Sequence, residues 1–311
     1  MIVQLASPAP VAGGAKVTLR GLLRRLYRDR YGYLFIAPAY LLFLVLVLVP
    51  VLVAISLAFF RTDYITFQWV GLSNFQALAD SPSFRAAVAN TLFYVGVGVP
   101  ATVVISLVIA LLVQQLGSKA QSFFRGAFYL PAVAGVVVLA LVWTWIFNPA
   151  FGLLNWVVNQ FGGASVPWLA DAGTARWAVV VVLLTHTIGQ PIILFLAGLA
   201  SIPAELHDAA RVDGAGALQR VWYVTFPLLR PVFLFVVTIT TIGVFQIWET
   251  IYMLTAGGPG KASTSIVYEI FETAFLTSAY GLASAMGVVL MVIVAVITLV
   301  QLRFSDVSYL E

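Results

Sequence analysis

Cysteine is absent from the sequence, and histidine occurs only at His186 and His207. Without thiols the chain can form neither a disulfide framework nor a thiolate metal site, and two imidazoles are too few for a zinc site. Charged residues are also scarce, at 9% of the chain, where a soluble domain carries about 25%. So few charges cannot cover a surface that faces water, which argues against an ordinary soluble enzyme.

Long apolar runs take the place of the missing charges, and 62% of the residues are hydrophobic. A helix needs about 20 apolar residues to cross the hydrocarbon core of a bilayer. Six stretches are long enough: Leu34–Ala58, Ala86–Val113, Phe124–Phe147, Trp177–Leu199, Phe226–Leu254 and Leu282–Leu302. The pattern predicts an all-α integral membrane protein, with six transmembrane helices in one domain over residues 31–303.

The lysines and arginines favour one orientation of these helices. With the N-terminus inside, four basic residues lie outside, at Arg61, Arg85, Arg176 and Lys261. The cytosolic segments hold the other twelve: Lys16, Arg20, Arg24, Arg25, Arg28, Arg30, Lys119, Arg125, Arg211, Arg220, Arg230 and Arg303. Because basic residues concentrate in cytoplasmic loops, we expect a multi-pass protein of the cell inner membrane with both termini cytosolic. Nucleic-acid binding is disfavoured, since the positive charge follows the topology.

Three shorter segments lie outside the apolar runs and are expected in the cytosol. Residues 1–30 are basic and amphipathic, which predicts a helix on the membrane surface. Residues 304–311 form a short tail, and residues 201–222 join the fourth and fifth spans. In the last segment Pro203 suits the first turn of a helix and Gly214 suits the residue that ends it. A helix over Pro203–Asp213, exposed between two spans, is suited to docking on a soluble partner.

This polar segment resembles the EAA coupling loop of ABC importer permeases. The matching residues are Glu205, Ala209, Ala210, Asp213, Gly214, Ala215 and Pro227. Asp208 before the two alanines departs from the strict Glu-Ala-Ala form and has the spelling of the sugar-permease branch. Four further segments resemble the same family: Val70–Phe75, Phe128–Pro131, Trp143–Phe147 and Leu254–Pro259. The chain thus resembles a carbohydrate-uptake permease of the maltose or glycerol-3-phosphate type, which implies the type I ABC importer permease fold.

The resemblance implies a transport subunit rather than an enzyme, with no catalytic residue, metal site or cofactor of its own. It implies a heterodimer with a second homologous permease, two cytosolic ATPase subunits that bind ATP and Mg²⁺, an extracytoplasmic solute-binding protein, membrane lipid and a sugar substrate. The resemblance also implies that seven residues couple the permease to the ATPase subunits: Glu205, Asp208, Ala209, Ala210, Arg211, Asp213 and Gly214. The stretch Gly257–Thr264 is not a phosphate-binding loop, because Ala262 stands where Ser or Thr must follow the lysine.

Four residues near the end of the predicted fifth span are candidates for sugar binding: Gln246, Trp248, Glu249 and Tyr252. An ionisable group is costly inside a bilayer, so Glu249 marks a candidate functional site. Aromatic rings stack on sugar faces, while amides and carboxylates bind their hydroxyls. The alternative is that Glu249 reaches water at the outer interface and that Trp248 and Tyr252 belong to the aromatic belt.

Three other functions compete with ATP-driven import. A gradient-driven secondary transporter would be expected to carry carboxylates in several spans, whereas only Glu249 is present. A membrane enzyme would need an acid/base pair or a set of metal-binding carboxylates, and Asp208 and Asp213 are five residues apart with no histidine pair. A non-transporting subunit that only anchors a complex stays open from the sequence alone.

Overall fold

The computed structural model describes residues 30–303, so the predicted N-terminal surface helix and the tail over residues 304–311 lie outside the described residues. The chain divides into two units, the first ending at Val53 and the second beginning at Ala54. The first apolar run forms helix α1 (Arg30–Phe43), a π-helical turn (Leu44–Leu48) and helix α2 (Val49–Leu57). Together they make a continuous apolar helix over Tyr31–Leu57.

The second unit opens with a small subdomain that contains a two-stranded sheet. Strands β1 (Phe60–Thr62) and β2 (Phe67–Trp69) pair antiparallel, with Phe60 opposite Trp69. Helices α3 (Ser73–Asp80) and α4 (Pro82–Gln114) follow. The remaining helices are α5 (Ser118–Ala134), α6 (Val136–Ile146), α7 (Leu153–Gln160), α8 (Ala172–Thr187), α9 (Gly189–Ala200), α10 (Ala204–Val212), α11 (Ala217–Arg220), α12 (Phe226–Phe245), α13 (Glu249–Leu254), α14 (Ile266–Phe271) and α15 (Tyr280–Arg303). Single π-helical turns join α11 to α12 and follow α14.

Six spans result when each bent pair of helices is counted as one span. Four are continuous in the described chain: Tyr31–Leu57, Pro82–Gln114, Ala217–Phe245 and Tyr280–Arg303. The third span consists of α5 and α6, bent by 95°, and the fourth of α8 and α9, bent by 45°. The mainly helical membrane fold, with up to six spans, is confirmed, but it includes a short two-stranded sheet and its helices are less regular than the apolar runs predicted.

Three predicted spans, each expected as one helix, are interrupted. The fourth, expected over Trp177–Leu199, bends by 45° between α8 and α9. The third was expected as one helix over Phe124–Phe147, yet the chain breaks at Gly135, whose φ of +81° lies outside the helical region. The fifth was expected to run from Phe226 to Leu254, yet α12 ends at Phe245 and α13 starts afresh at Glu249. Apolar composition predicts burial in lipid but not the path of the backbone.

Helix α4 packs against α9 and α12 at the centre of the second unit. Its polar side chains donate hydrogen bonds to the backbone of α9 and of the break that precedes it. Ser106 donates a hydrogen bond to the carbonyl of Ile188 at 3.2 Å, at the break between α8 and α9. The same carbonyl also accepts the backbone amide of Ile192 at 3.1 Å, so the serine adds a second hydrogen bond at the break. The buried serine of α4 therefore stabilises the bend of the fourth span.

The start of α15 is held against the small subdomain around β1 and α3 by a close backbone approach. A Cβ atom on Gly281 would collide with the carbonyl oxygen of Phe60 and would lie 3.3 Å from the amide nitrogen of Asn74. Asn74 in turn donates to the carbonyls of Ala58 and Phe60, each at 2.9 Å. Only glycine fits at position 281 without moving this junction.

Gly281→Ala should therefore destabilise the protein by about 1–3 kcal/mol, the usual cost of overpacking. Thermal unfolding in detergent would measure the change. Gly287→Ala is the matched control in the same helix, because a Cβ atom there meets nothing within 4 Å and alanine favours helix by about 1 kcal/mol. Equal stabilities of the two variants would contradict the proposed close approach.

Candidate functional site

The segment between the fourth and fifth spans forms the short helix that the sequence predicts. Helix α10 starts and ends within one residue of the predicted Pro203–Asp213. Gly214 has the expected left-handed backbone, with φ of +79°. The amides of Gly214 and Ala215 bond to the carbonyls of Arg211 and Ala210, at 3.0 and 2.9 Å, which is the Schellman arrangement that ends a helix.

The predicted coupling residues share one exposed surface. No residue of α10 is buried, and Val212 keeps 87% of its surface exposed. Asp208 and Arg211 pair at 3.2 Å, with about two-thirds of each side chain exposed. An exposed pair of this kind contributes at most about 1 kcal/mol, so both charges are available to a partner. A recess of about 340 Å³ adjoins the helix, lined by Ala210, Asp213, Gly214, Ala215, Gln219, Arg220, Tyr223 and Val224.

A second site is a cavity of about 300 Å³ in the membrane-embedded part of the second unit. Its lining residues are Val136, Leu183, His186, Thr187, Gly243, Val244, Gln246, Ile247, Trp248, Glu249 and Thr250. Three of the four predicted sugar-binding residues, Gln246, Trp248 and Glu249, are thus brought together. Tyr252 does not line the cavity, but its ring lies 6.2 Å from that of Trp248 and 5.5 Å from that of Phe271.

The cavity lies where three breaks in the spans converge. Val136 follows the break at Gly135, Thr187 is the last residue of α8, and Gln246 and Trp248 occupy the gap between α12 and α13. Irregular backbone is tolerated at membrane depth where it is buried in protein or lines a cavity. The lining combines a carboxylate, an imidazole, an amide, two hydroxyls and an indole ring. Such a set can form hydrogen bonds with a polyhydroxylated ligand and stack on it.

Sequence reasoning missed the contribution of the fourth span to this cavity. His186 and Thr187 were not assigned to the site, because nothing in the apolar pattern marks the bend that turns them inward. A weak signal was present, since Pro131 and Pro191 lie within four residues of the breaks at Gly135 and Ile188. Prolines in membrane helices tend to accompany kinks.

The loop between α13 and α14 ties the cavity wall to α4. The side-chain amide of Asn90 donates a hydrogen bond to the backbone carbonyl of Lys261 at 3.0 Å. The hydroxyl of Tyr94 donates to the backbone carbonyl of Ser263 at 2.9 Å. Ser265 is fully buried and donates to the carbonyl of Ile247 at 2.6 Å. This last bond satisfies the backbone of the gap that carries Trp248. The loop therefore positions the cavity lining.

Lys261 joins this loop to α14 by charge. Its ammonium group pairs with Glu269 at 3.1 Å and also with Glu272. Glu269, whose side chain is only 9% exposed, also accepts a hydrogen bond from Ser83 of α4 at 2.6 Å. Burial alone would lower the pKa of Lys261, but the hydrogen bonds to Glu272 and Glu269 outweigh it, and the pKa is raised above 10.5.

Lys261→Met should lower the stability of the protein by about 1 kcal/mol, the upper range for a partly exposed pair, because Glu269 loses its cation. Since the folded-state pKa is raised, the contribution is fully present below a pH of about 10.5 and is lost as the pH rises through the folded value. The difference from wild type in thermal unfolding should thus stay constant up to about pH 9 and shrink above about pH 10.5. Lys119→Met, at an exposed position in α5, is the control, and a difference that grows with pH would contradict the pairing.

The comparison with protein families decides what kind of membrane protein this is. The model of the binding-protein-dependent transport system inner membrane component matches residues 70–306, most of the chain. The chain belongs to this family. The match includes both the coupling segment and the cavity-lining residues.

Relatives of this permease share its length as well as its sequence. The arabinooligosaccharides transport system permease protein of Halalkalibacterium halodurans is 35% identical over 88% of this chain and 87% of the relative. The trehalose/maltose transport system permease protein of Thermococcus litoralis is 31% identical over 89% of this chain and 94% of the relative. Both are permeases of transport systems, so this chain is a transport subunit and not an enzyme.

A solved structure has the same fold. One chain of a bacterial ABC transporter involved in the import of the acidic polysaccharide alginate aligns with a TM-score of 0.81. The alignment covers 91% of this permease and 98% of that chain, at 24% identity. The helical membrane fold of an ABC importer permease is thereby confirmed. The alternative of a gradient-driven secondary transporter finds no support in the family to which the chain belongs.

Proposed function

We propose that this permease moves a carbohydrate or a similar solute into the cytosol, as one of the membrane subunits of an ABC importer. The observation that carries the proposal is the cavity where three broken spans meet, lined by Gln246, Trp248, Glu249 and His186. Polar groups and an indole ring at such a break suit a solute with many hydroxyls. The arabinooligosaccharide and trehalose/maltose systems of the relatives support the same class of substrate.

The energy for transport comes from outside the chain in this proposal. Two cytosolic ATPase subunits bind ATP and Mg²⁺, and one of them receives α10. Glu205, Asp208 and Arg211 make charge-assisted contacts with the ATPase. The small side chains of Ala209 and Ala210 let the ATPase approach the helix closely. Asp213 and Gly214 end the helix and turn the chain toward α11. Closure of the ATPases then moves the fourth and fifth spans, between which α10 lies.

The other parts of the proposed importer follow from the family. A second homologous permease completes the pathway as a heterodimer, and an extracytoplasmic solute-binding protein delivers the sugar. Residues 201–222 are the cytosolic coupling segment of a six-helix domain over residues 31–303, and both termini are cytosolic. The distribution of lysine and arginine supports this orientation.

Gly214→Val should abolish both sugar uptake and sugar-stimulated ATP hydrolysis in the reconstituted importer. The left-handed backbone of Gly214 is a conformation that β-branched residues rarely adopt, so the turn after α10 would change. Gly216→Val is the control two residues away, because Gly216 has an extended backbone with φ of −66°. If Gly214→Val keeps transport and its linked ATP hydrolysis, the coupling role of this segment is wrong.

Trp248→Ala should raise the KM for uptake at least about tenfold, because loss of stacking and packing on the sugar costs more than 1 kcal/mol. The uptake of maltose, trehalose and arabinotriose by proteoliposomes that hold the complete importer would identify a substrate and measure its KM. Trp145→Ala is the matched control, since that indole is 70% exposed and does not line the cavity. An unchanged KM in Trp248→Ala would contradict the assignment of sugar binding to this cavity.

A further inference from the structure

The charge of the cavity points to the class of sugar that it accepts. Glu249 contributes a carboxylate, whereas neither lysine nor arginine is present among the lining residues, all of which fall within the described residues 30–303. The second titratable side chain of the lining is that of His186. Sites that bind anionic groups generally present arginine or lysine to them. The lining of this cavity has the opposite character.

Two cations elsewhere in the second unit are engaged away from the cavity. Lys261 pairs with Glu269 and Glu272. Arg176, in the first half of α8, lies over the ring of Phe93, with its guanidinium carbon 5.3 Å from the ring centre. Neither side chain lines the cavity. Both have interactions that hold them outside the site, so neither compensates the charge of Glu249.

We infer that Glu249 makes the transport pathway selective for uncharged sugars and excludes sugars that carry a carboxylate. The inference rests on the proposed function and names the substrate class of the same cavity. The carboxylate of Glu249 accepts charge-assisted hydrogen bonds from sugar hydroxyls. A sugar carboxylate has no proton to donate at neutral pH, so it meets Glu249 with like charge and no hydrogen bond. Specificity of this kind arises from repulsion of the wrong ligand as much as from attraction of the right one.

The fold alone does not decide this preference. The transporter that shares the fold is involved in the import of an acidic polysaccharide, so the same helical frame is compatible with anionic cargo. The side chains that line the cavity must therefore set the charge preference. Glu249 is well placed to do so, because it lines the cavity and is exposed.

Direct binding to the purified importer, without the solute-binding protein, tests this inference. Isothermal titration with maltose, trehalose and arabinotriose is compared with titration of derivatives in which one primary hydroxyl is oxidised to a carboxylate. Each pair has nearly the same size and shape and differs in charge. The wild type should bind the neutral member more tightly by roughly tenfold or more, as expected for a like charge close to a binding site.

Variants assign the selectivity to Glu249. Glu249→Gln should bring the two affinities within about twofold of each other, while Glu249→Asp, which keeps the charge, should retain the preference. Asp80→Asn is the control, because it removes an exposed carboxylate outside the cavity. Should Glu249→Gln bind neither sugar, Gln246→Glu decides instead, since a second carboxylate in the cavity should increase the preference by a further tenfold or so.

Three results would overturn the inference. The first is wild-type protein that binds the acidic derivative as tightly as the neutral sugar. The second is a preference that survives in Glu249→Gln, and the third is one that does not change in Gln246→Glu. If no sugar of any pair binds to the wild type, the proposed sugar site itself is wrong. This result differs from failure of the inference, in which sugars bind but without the expected preference for the neutral member.

Discussion

Every backbone polar group at membrane depth must find a partner inside the protein, and this constraint shapes the second unit. Three spans break, at Gly135, at Ile188 and between Phe245 and Glu249. Buried serines donate to two carbonyls at these breaks: Ser106 to that of Ile188, which also accepts the amide of Ile192, and Ser265 to that of Ile247. The breaks are therefore stable features, and because they converge they create a polar cavity in an otherwise apolar domain.

The cavity and helix α10 are both connected to the same two spans, the fourth and the fifth. The fourth span ends its first half at Thr187, a cavity residue, and its second half leads directly into α10. The fifth span begins after α10 and ends at Phe245, where the cavity-lining gap starts. Packed helices move as stiff elements because protein interiors are close-packed. A displacement of α10 would thus reach both sides of the cavity, which is the physical basis of the coupling role proposed for this helix.

Much of this organisation was predictable from particular residues. The second and sixth spans lie close to the predicted ranges, because lipid solvation demands long apolar helices and little else. Helix α10 was predictable to one residue, since Pro203 and Gly214 restrict the backbone locally. The breaks in the third, fourth and fifth spans were not predicted, because an apolar run shows that a segment suits lipid but not where its backbone leaves the helix. His186 and Thr187 were missed for the same reason.

The sequence by itself predicted a membrane protein, its apolar spans, the helix α10 and the family, because these depend on composition and on local residue patterns. It also placed Gln246, Trp248 and Glu249 close together, since they are neighbours along the chain. Only the tertiary structure decided that His186 and Thr187 join them, that Tyr252 lies near Trp248 without lining the cavity, and that Ser265 donates to the carbonyl of Ile247. Such contacts join residues far apart in the chain, and their geometry depends on how the broken helices pack.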